Sequence, residues 1–235
     1  MAIRLFTELP LFFDAQISLI DNQHHYLAHV MRGKVGDNLL LFNGLDGEWN
    51  AVIEEVSKKK TLLKVLEQTR LQSEEQLSDV WLCFAPIKKD NMELIVQKAT
   101  ELGVSVLQPV ITRRSVVSKV NIDKMRLQAI EAAEQSERLS IPSIKELITL
   151  NNLLKNIDCD RALYFLDERG AGKSLQIKDK LAFLVGPEGG FDSEELKKLR
   201  SFDKAEPLHL GRRILRAETA CISILSVYNH LVGWV

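Results

Sequence analysis

The hydrophobic pattern changes period once along the chain, and that change limits the fold more than any other feature. Before it, apolar residues come in short runs broken by turn residues: Asn38-Leu-Leu-Leu-Phe42, then Asn43-Gly44, then Glu48 to Val56, then Thr61-Leu-Leu-Lys-Val-Leu-Glu67. Runs of that length between tight turns predict a small β unit. Thr69 to Asp79 is polar and has few apolar anchors, so it reads as a linker, with domains expected over 1–72 and 73–235. Beyond it, short apolar strands at Val80–Ala85, Val104–Ile111, Arg161–Leu166 and Leu181–Val185 alternate with helical spacing at Asn91–Leu102, Ile122–Glu137 and Ser193–Leu199. The first of these helices stops at Gly103, and Asp192 or Ser193 is the natural cap of the third. Such alternation predicts an α/β fold, a parallel sheet with helices on both faces. Thr219 to Leu231 is apolar around most of its circumference, which predicts a helix buried on two sides or forming an interface.

Composition excludes several classes. With 46% hydrophobic residues over 235 positions the chain can build one large or two modest cores. The longest apolar stretch, Ala220 to Val235, is interrupted by Ser223, Ser226, Asn229 and His230, so no membrane span is expected. The first residues, Met1 to Glu8, lack the features of a secretory signal, which places the expected site of action in the cytosol. Cys83, Cys159 and Cys221 are far apart and carry no zinc spacing; all three read as small core residues. The net charge of -1 disfavours nonspecific coating of nucleic acid. The basic residues are nevertheless grouped, as Arg113, Arg114, Lys119, Lys124 and Arg126 and again as Arg212, Arg213 and Arg216, so local basic surfaces are expected.

Four motifs invite a chemical reading. Gly170-Ala-Gly-Lys-Ser174 ends like a phosphate-binding loop, but Asp167 stands where the first glycine must be, and too few residues follow for the required helix. His24, His25 and His29 suggest a metal, yet no carboxylate or cysteine completes a ligand set, so none is expected. The third is stronger. Leu184-Val-Gly-Pro-Glu-Gly-Gly-Phe191 starts at the end of an apolar strand and leads into a helix. Ligands of open parallel sheets bind outside the carboxyl ends of the strands, and glycines let backbone amides approach them closely. A plain strand-to-helix turn explains the same residues. The fourth, Leu208 to Ala220, holds three arginines and one acid between Arg212 and Glu218, beside the apolar step Ile214-Leu215. Its bland reading is a helix start with Glu218 facing the macrodipole.

Taken together and in this order, the last two loops resemble the cofactor-binding half of the SPOUT methyltransferases, whose chain passes through a trefoil knot. More narrowly, the sequence resembles the small-subunit ribosomal RNA uridine-N3 methyltransferases, the RsmE family. The likeness runs through Arg4-Leu-Phe6, His25-Tyr-Leu-Ala-His-Val-Met-Arg32 with Gly36-Asp37, Lys98 to Val104, Arg114-Ser115, Glu131 to Arg138 with Ile141-Pro142, and both loops. It implies a PUA-like RNA-binding β-barrel ahead of a SPOUT α/β knot domain, the cofactor S-adenosyl-L-methionine, a homodimer, and 16S ribosomal RNA within the 30S subunit as partner.

The resemblance also implies a site. The cofactor pocket would be lined by Leu184, Val185, Gly186, Pro187, Glu188, Gly189 and Gly190, by Leu210, Gly211, Arg213, Ile214 and Leu215 with Thr219, and by the strand end Phe165, Leu166 and on to Glu168. Uridine N3 is about as acidic as a phenol, roughly pKa 10, some six units above a free glutamate, or on the order of 8 kcal/mol. An arginine that stabilises the developing uracil anion is therefore expected, with a carboxylate or water taking the proton. Arg216 is the favoured arginine and Arg138 the alternative; Glu218 is the candidate carboxylate, or else orients Arg216. RNA contacts are expected from Arg4, His25, Arg32, Lys88, Lys89, Arg113 and Arg114, and Gln135 could read the uracil edge. A methyltransferase for another RNA, such as transfer RNA, and a noncatalytic RNA-binding assembly protein are the competing readings.

Overall fold

The computed structural model describes residues 3–76, 78–167 and 174–233. Glu168 and most of the Gly170–Ser174 motif lie outside the described residues, as does the side chain of Lys89. The chain divides into two compact units, Met1–Gln76 with Ala133–Ile141, and Leu77–Ala132 with Pro142–Val235.

The first unit contains β1 (Arg4–Phe6), β2 (Gln16–Ile20), α1 (Asp21–His25) continued by a π turn (Tyr26–Val30), β3 (Asn38–Phe42), β4 (Glu48–Val56) and β5 (Lys60–Arg70). They form one sheet in the order β1-β3-β4-β5-β2, parallel between β1 and β3 and antiparallel elsewhere. Register shifts at three places between β4 and β5 bend the sheet, because each bulge adds twist, and it curls around a core that includes Leu5, Ile17, Leu41, Ile53 and Leu63. The strands β3 to β5 follow the runs expected from the sequence; β2 also alternates, with Ile17 and Leu19 buried between exposed neighbours, and only the three-residue β1 is too short to show a period of its own.

A cut at residue 72 does not describe this unit. The segment Ala133–Ile141, far along the chain, belongs to it because Arg4 reaches there. Arg4 is only 7% exposed. Its Nε donates to Glu48 at 2.6 Å, its Nη1 to the Ala133 carbonyl and its Nη2 to the Arg138 carbonyl, both at 2.7 Å, and it stacks on the Phe42 ring. The Glu134 carboxylate accepts from the Phe6 amide at 2.9 Å. Arg4 is therefore a structural cation with every face in use, not the RNA contact expected from its motif. Arg138 is likewise turned inward, its buried guanidinium 3.7 Å from Glu75, which also accepts from the Leu139 amide at 2.9 Å. Burial pushes the Arg138 pKa down to about 10, against the opposing pull of Glu75.

The second unit contains β6 (Asp79–Phe84), α2 (Lys89–Glu101), β7 (Val106–Ile111), most of α3 (Ile122–Gln135), the two-residue strands β8 (Ser143–Ile144) and β9 (Ile148–Thr149), α4 (Leu150–Asn156), β10 (Ala162–Leu166), β11 (Lys180–Val185), α5 (Ser193–Ser201), β12 (Ala205–Leu208) and α6 (Ala217–Leu231). Every strand pair is parallel, in the order β12-β10-β11-β6-β7-β8 with β9 also on β7. The period of two in β11 shows how both faces are covered. Leu181, Phe183 and Val185 pack with residues of α2, α3 and α6, whereas Ala182 and Leu184 pack with residues of α4 and α5. In this order β12, β10 and β11 lie side by side. Cys83 and Cys221 are buried as expected, and burial pushes both thiols up, Cys83 to about 12. Cys159 is exposed, in the turn between α4 and β10, which corrects its assignment to the core. Among the described residues no helix is long and apolar enough to cross a membrane.

Candidate functional site

The strands β10, β11 and β12 end together, and the loops that leave them enclose a cleft of about 270 Å³. Leu166 and Asp167 come from β10, Val185 to Glu188 with Gly190 and Phe191 from the loop after β11, and Leu208 to Gly211 with Arg213 and Leu215 from the loop after β12. Ser193, Leu196 and Arg200 of α5, Ala217 and Ala220 of α6, and Arg114 complete the lining.

The loop after β11 is built from its residues outward. Gly190 takes a φ of 66°, which a side chain would disfavour, and its amide closes a turn on the Pro187 carbonyl at 2.8 Å. Gly186 lies against the Phe191 ring, so that a Cβ there would stand 3.2 Å from it. Phe191 in turn meets the Phe165 ring edge-on at 6.4 Å. Asp192 caps α5 by accepting from the Glu194 amide at 2.9 Å, and Glu195 answers with a bond from the Asp192 amide at 3.0 Å. Glu195 accepts a second bond from the Arg113 amide at 2.8 Å, while the Arg113 guanidinium pairs with Asp192 at 2.9 Å. These contacts hold the Asp192 carboxyl below its usual pKa, the Glu194 amide first among the causes.

The loop after β12 is held by less. Gly211 has a φ of 109°, and its amide donates to Nδ1 of His209 at 3.2 Å. Arg212, Arg213 and Ile214 are exposed, Ile214 by 70%. Between the two loops, Asp167 is buried; its amide donates to the Leu208 carbonyl at 3.0 Å and its carboxylate accepts from Arg200 at 2.6 Å. Asp167 thus ties the ends of β10, β12 and α5 at one point.

Of the residues expected in a pocket, Leu166, Val185, Gly186, Pro187, Glu188, Gly190, Leu210, Gly211, Arg213 and Leu215 line the cleft. Phe165 and Leu184 do not, because they sit fully buried in the sheet behind it. Gly189 offers its carbonyl to Arg114 beside the cleft, whereas Ile214 and Thr219 face outward. Arg216 is the exposed N-cap of α6. Glu218, in the first turn, is 7% exposed; Oε1 accepts from Asn91 at 3.1 Å and Oε2 is buried without a partner. No ion pair joins Glu218 to Arg216, as positions two apart on a helix do not face each other. His25, Arg32, Lys88 and Gln135 are exposed. Asp167 lines the cleft from the expected strand end, whereas Phe191, Ser193, Leu196, Arg200 and His209 were not expected; the spacing of Ser193, Leu196 and Arg200 along one face of α5 is the signal that could have found three of them.

The comparisons fit this architecture. Residues 73–229 match the family described as RNA methyltransferase domain, and residues 19–66 match the RNA methyltransferase PUA domain. Among curated relatives, the ribosomal RNA small subunit methyltransferase E of Rickettsia conorii is 37% identical over 95% of this chain and 93% of its own length. That of Bacillus subtilis is 30% identical over 91% and 89%. The crystal structure of the same enzyme from Neisseria gonorrhoeae bound to S-adenosyl methionine, 26% identical, superposes with a TM-score of 0.88 over 98% of both chains. The chain belongs to the ribosomal RNA small subunit methyltransferase E family.

Proposed function

We propose that this chain transfers a methyl group from S-adenosyl-L-methionine to N3 of one uridine of 16S ribosomal RNA, acting on the assembled 30S subunit in the cytosol. The observation that carries the reading is the convergence of two glycine-bearing loops on one cleft at the carboxyl ends of parallel strands, in a chain of this family. The residues present suit that cofactor. Leu166, Val185, Leu208 and Leu215 offer apolar walls to a flat nucleoside, the glycines bare the backbone for its polar edges, and Glu188 supplies negative charge for a cationic ligand. When bound, the cofactor supplies a methyl already activated on a sulfonium.

The remaining work falls to the protein. Uridine N3 must lose a proton of pKa roughly 10 before it attacks, so a cation beside the uracil lowers the barrier. Arg216, exposed and without an ion pair among the described residues, has that role here. Glu218 holds the start of α6 to Asn91, and its unpartnered Oε2 is the acceptor for a proton relayed through water. The inward-facing guanidinium of Arg138 is committed to its own unit, which favours Arg216. His25, Arg32, Lys88 and Gln135 are exposed and available to RNA; Arg113 instead braces Asp192. Family likeness extends the reading to a trefoil-knotted path and a homodimer, for which exposed Val227 and Leu231 on α6 supply apolar surface.

The decisive test is mass mapping of ribosomal RNA from cells lacking this protein, with one uridine methyl expected to be missing; a full complement would end the proposal. Single-turnover methylation of small subunits by Arg216→Ala, followed across pH, should show a slower rate and a displaced profile. Wild-type rate and profile would remove Arg216 from the chemistry.

A further inference from the structure

The guanidinium groups around the cleft differ in what already occupies them. Arg200 is paired with Asp167 at 2.6 Å and Arg113 with Asp192 at 2.9 Å, so both charges are neutralised in place. Arg213 lines the cleft from the exposed loop and makes no hydrogen bond among the described residues, so nothing fixes its direction. Arg114 combines fixed position with uncompensated charge. Its Nη1 donates to the Gly189 carbonyl at 2.8 Å, its Cβ and Cδ lie 3.6 Å from where a Cβ on Gly189 would stand, and no carboxylate among the described residues pairs with it.

We propose that Arg114 is the anion-binding residue of the cleft and that it receives the carboxylate at the methionine end of the cofactor. This rests on the cofactor reading above. A guanidinium has five N–H donors in a planar fork, and the Gly189 carbonyl takes one, which leaves donors for a carboxylate. Because the stem already lies along Gly189, little side-chain freedom remains to be lost on binding. The cofactor has one flat apolar end and one charged end. The leucines of the cleft come from the ends of β10 and β12, on α5, and in the loop after β12; Arg114 comes instead from the loop that follows β7, three strands from β10 in the sheet order. The Arg114 contact to Gly189 also ties Arg114 to the loop after β11, whose residues Val185 to Glu188 line the same cleft.

The test compares two ligands on the full-length chain by calorimetry: S-adenosylhomocysteine and 5′-methylthioadenosine, which keeps the nucleoside and sulfur but has no amino acid. In Arg114→Ala, affinity for S-adenosylhomocysteine should fall by about ten- to a hundredfold, the scale of one charged hydrogen-bonded contact, with methylthioadenosine binding preserved. Arg114→Gln keeps a donor for Gly189 without the charge and should show the same selective loss; preserved methylthioadenosine binding certifies the fold of either variant. Equal weakening of both ligands, an unchanged ratio, or loss of the ratio in Arg213→Ala instead would each overturn the assignment. If the wild-type chain binds neither ligand, the cofactor reading itself fails; if it binds both and the Arg114 variants keep the wild-type ratio, this assignment alone fails.

Discussion

The two loops that face each other across the cleft are built by opposite means. Between β11 and α5 nearly every polar group has a partner inside the protein: Gly190 on Pro187, Gly189 on Arg114, and the Asp192 and Glu195 carboxylates on amides from both sides of the cap. Between β12 and α6 the chain has Gly211 at positive φ with open space where a Cβ would be, and arginines that reach outward. One wall is in place before any ligand arrives, while the other must be ordered by what it binds, at about 0.5–1.5 kcal/mol for each side chain immobilised. Damage to the helix cap of the first wall, at Asp192 and Glu195, should therefore appear as lost stability, and damage to the second wall as lost affinity.

Glu195 is where that contrast breaks most visibly. It is buried and accepts from two backbone amides, Arg113 and Asp192, at 2.8 and 3.0 Å. Glu195→Ala leaves both donors unpaired, and a loss of about 2–4 kcal/mol of unfolding free energy is expected in urea titrations. A loss under about 1 kcal/mol would mean that water replaces the carboxylate and that the wall is not prebuilt. Gly211→Ala probes the other side. Its φ of 109° is strained for any side chain, at about 1–2 kcal/mol. The exposed loop can relax away from that conformation in the free protein, so the melting temperature should hold while S-adenosylhomocysteine binds about tenfold more weakly. A lowered melting temperature with unchanged affinity would reverse the roles of the two walls.

The same division decides what could be read from residues alone. The loop after β11 was legible because its signals are local: an apolar strand, clustered glycines, then Asp192 and Glu195 three apart, the pattern of a capping box. The pairing of Asp167 with Arg200 was not, because they meet only after β10 inserts between β11 and β12, a crossover that no local period records. Arg4 failed for a related reason. A lone arginine in a β unit looks the same whether it meets phosphate or a buried glutamate, and its partners here lie 44 and more than 120 residues away in sequence. The strands β8 and β9, two residues each, and α4, seven, are too short for a period to emerge. Arg114 was legible as a cation, and its place on the cleft was not, because the loop after β7 meets the loop after β11 only in the folded sheet.

The gentlest probe of the rigid wall is acid. The Asp192 carboxyl is held below its usual pKa by the Glu194 amide and then by the Arg113 guanidinium. A carboxylate whose folded pKa is depressed contributes stability that is fully present above its unfolded value, about 3.9, and that is lost as pH falls through the folded one, because the unfolded chain takes up the proton first. Asp192→Asn retains an oxygen to cap α5 and removes the charge facing Arg113. Wild type should therefore exceed the variant in stability near neutral pH, and the gap should close as pH is lowered through the acid range. The loop from His209 to Arg216 has no carboxyl group, so this gap belongs to the first wall alone. A gap that persists undiminished in acid would assign the contribution of Asp192 to the shape of its cap and not to its charge.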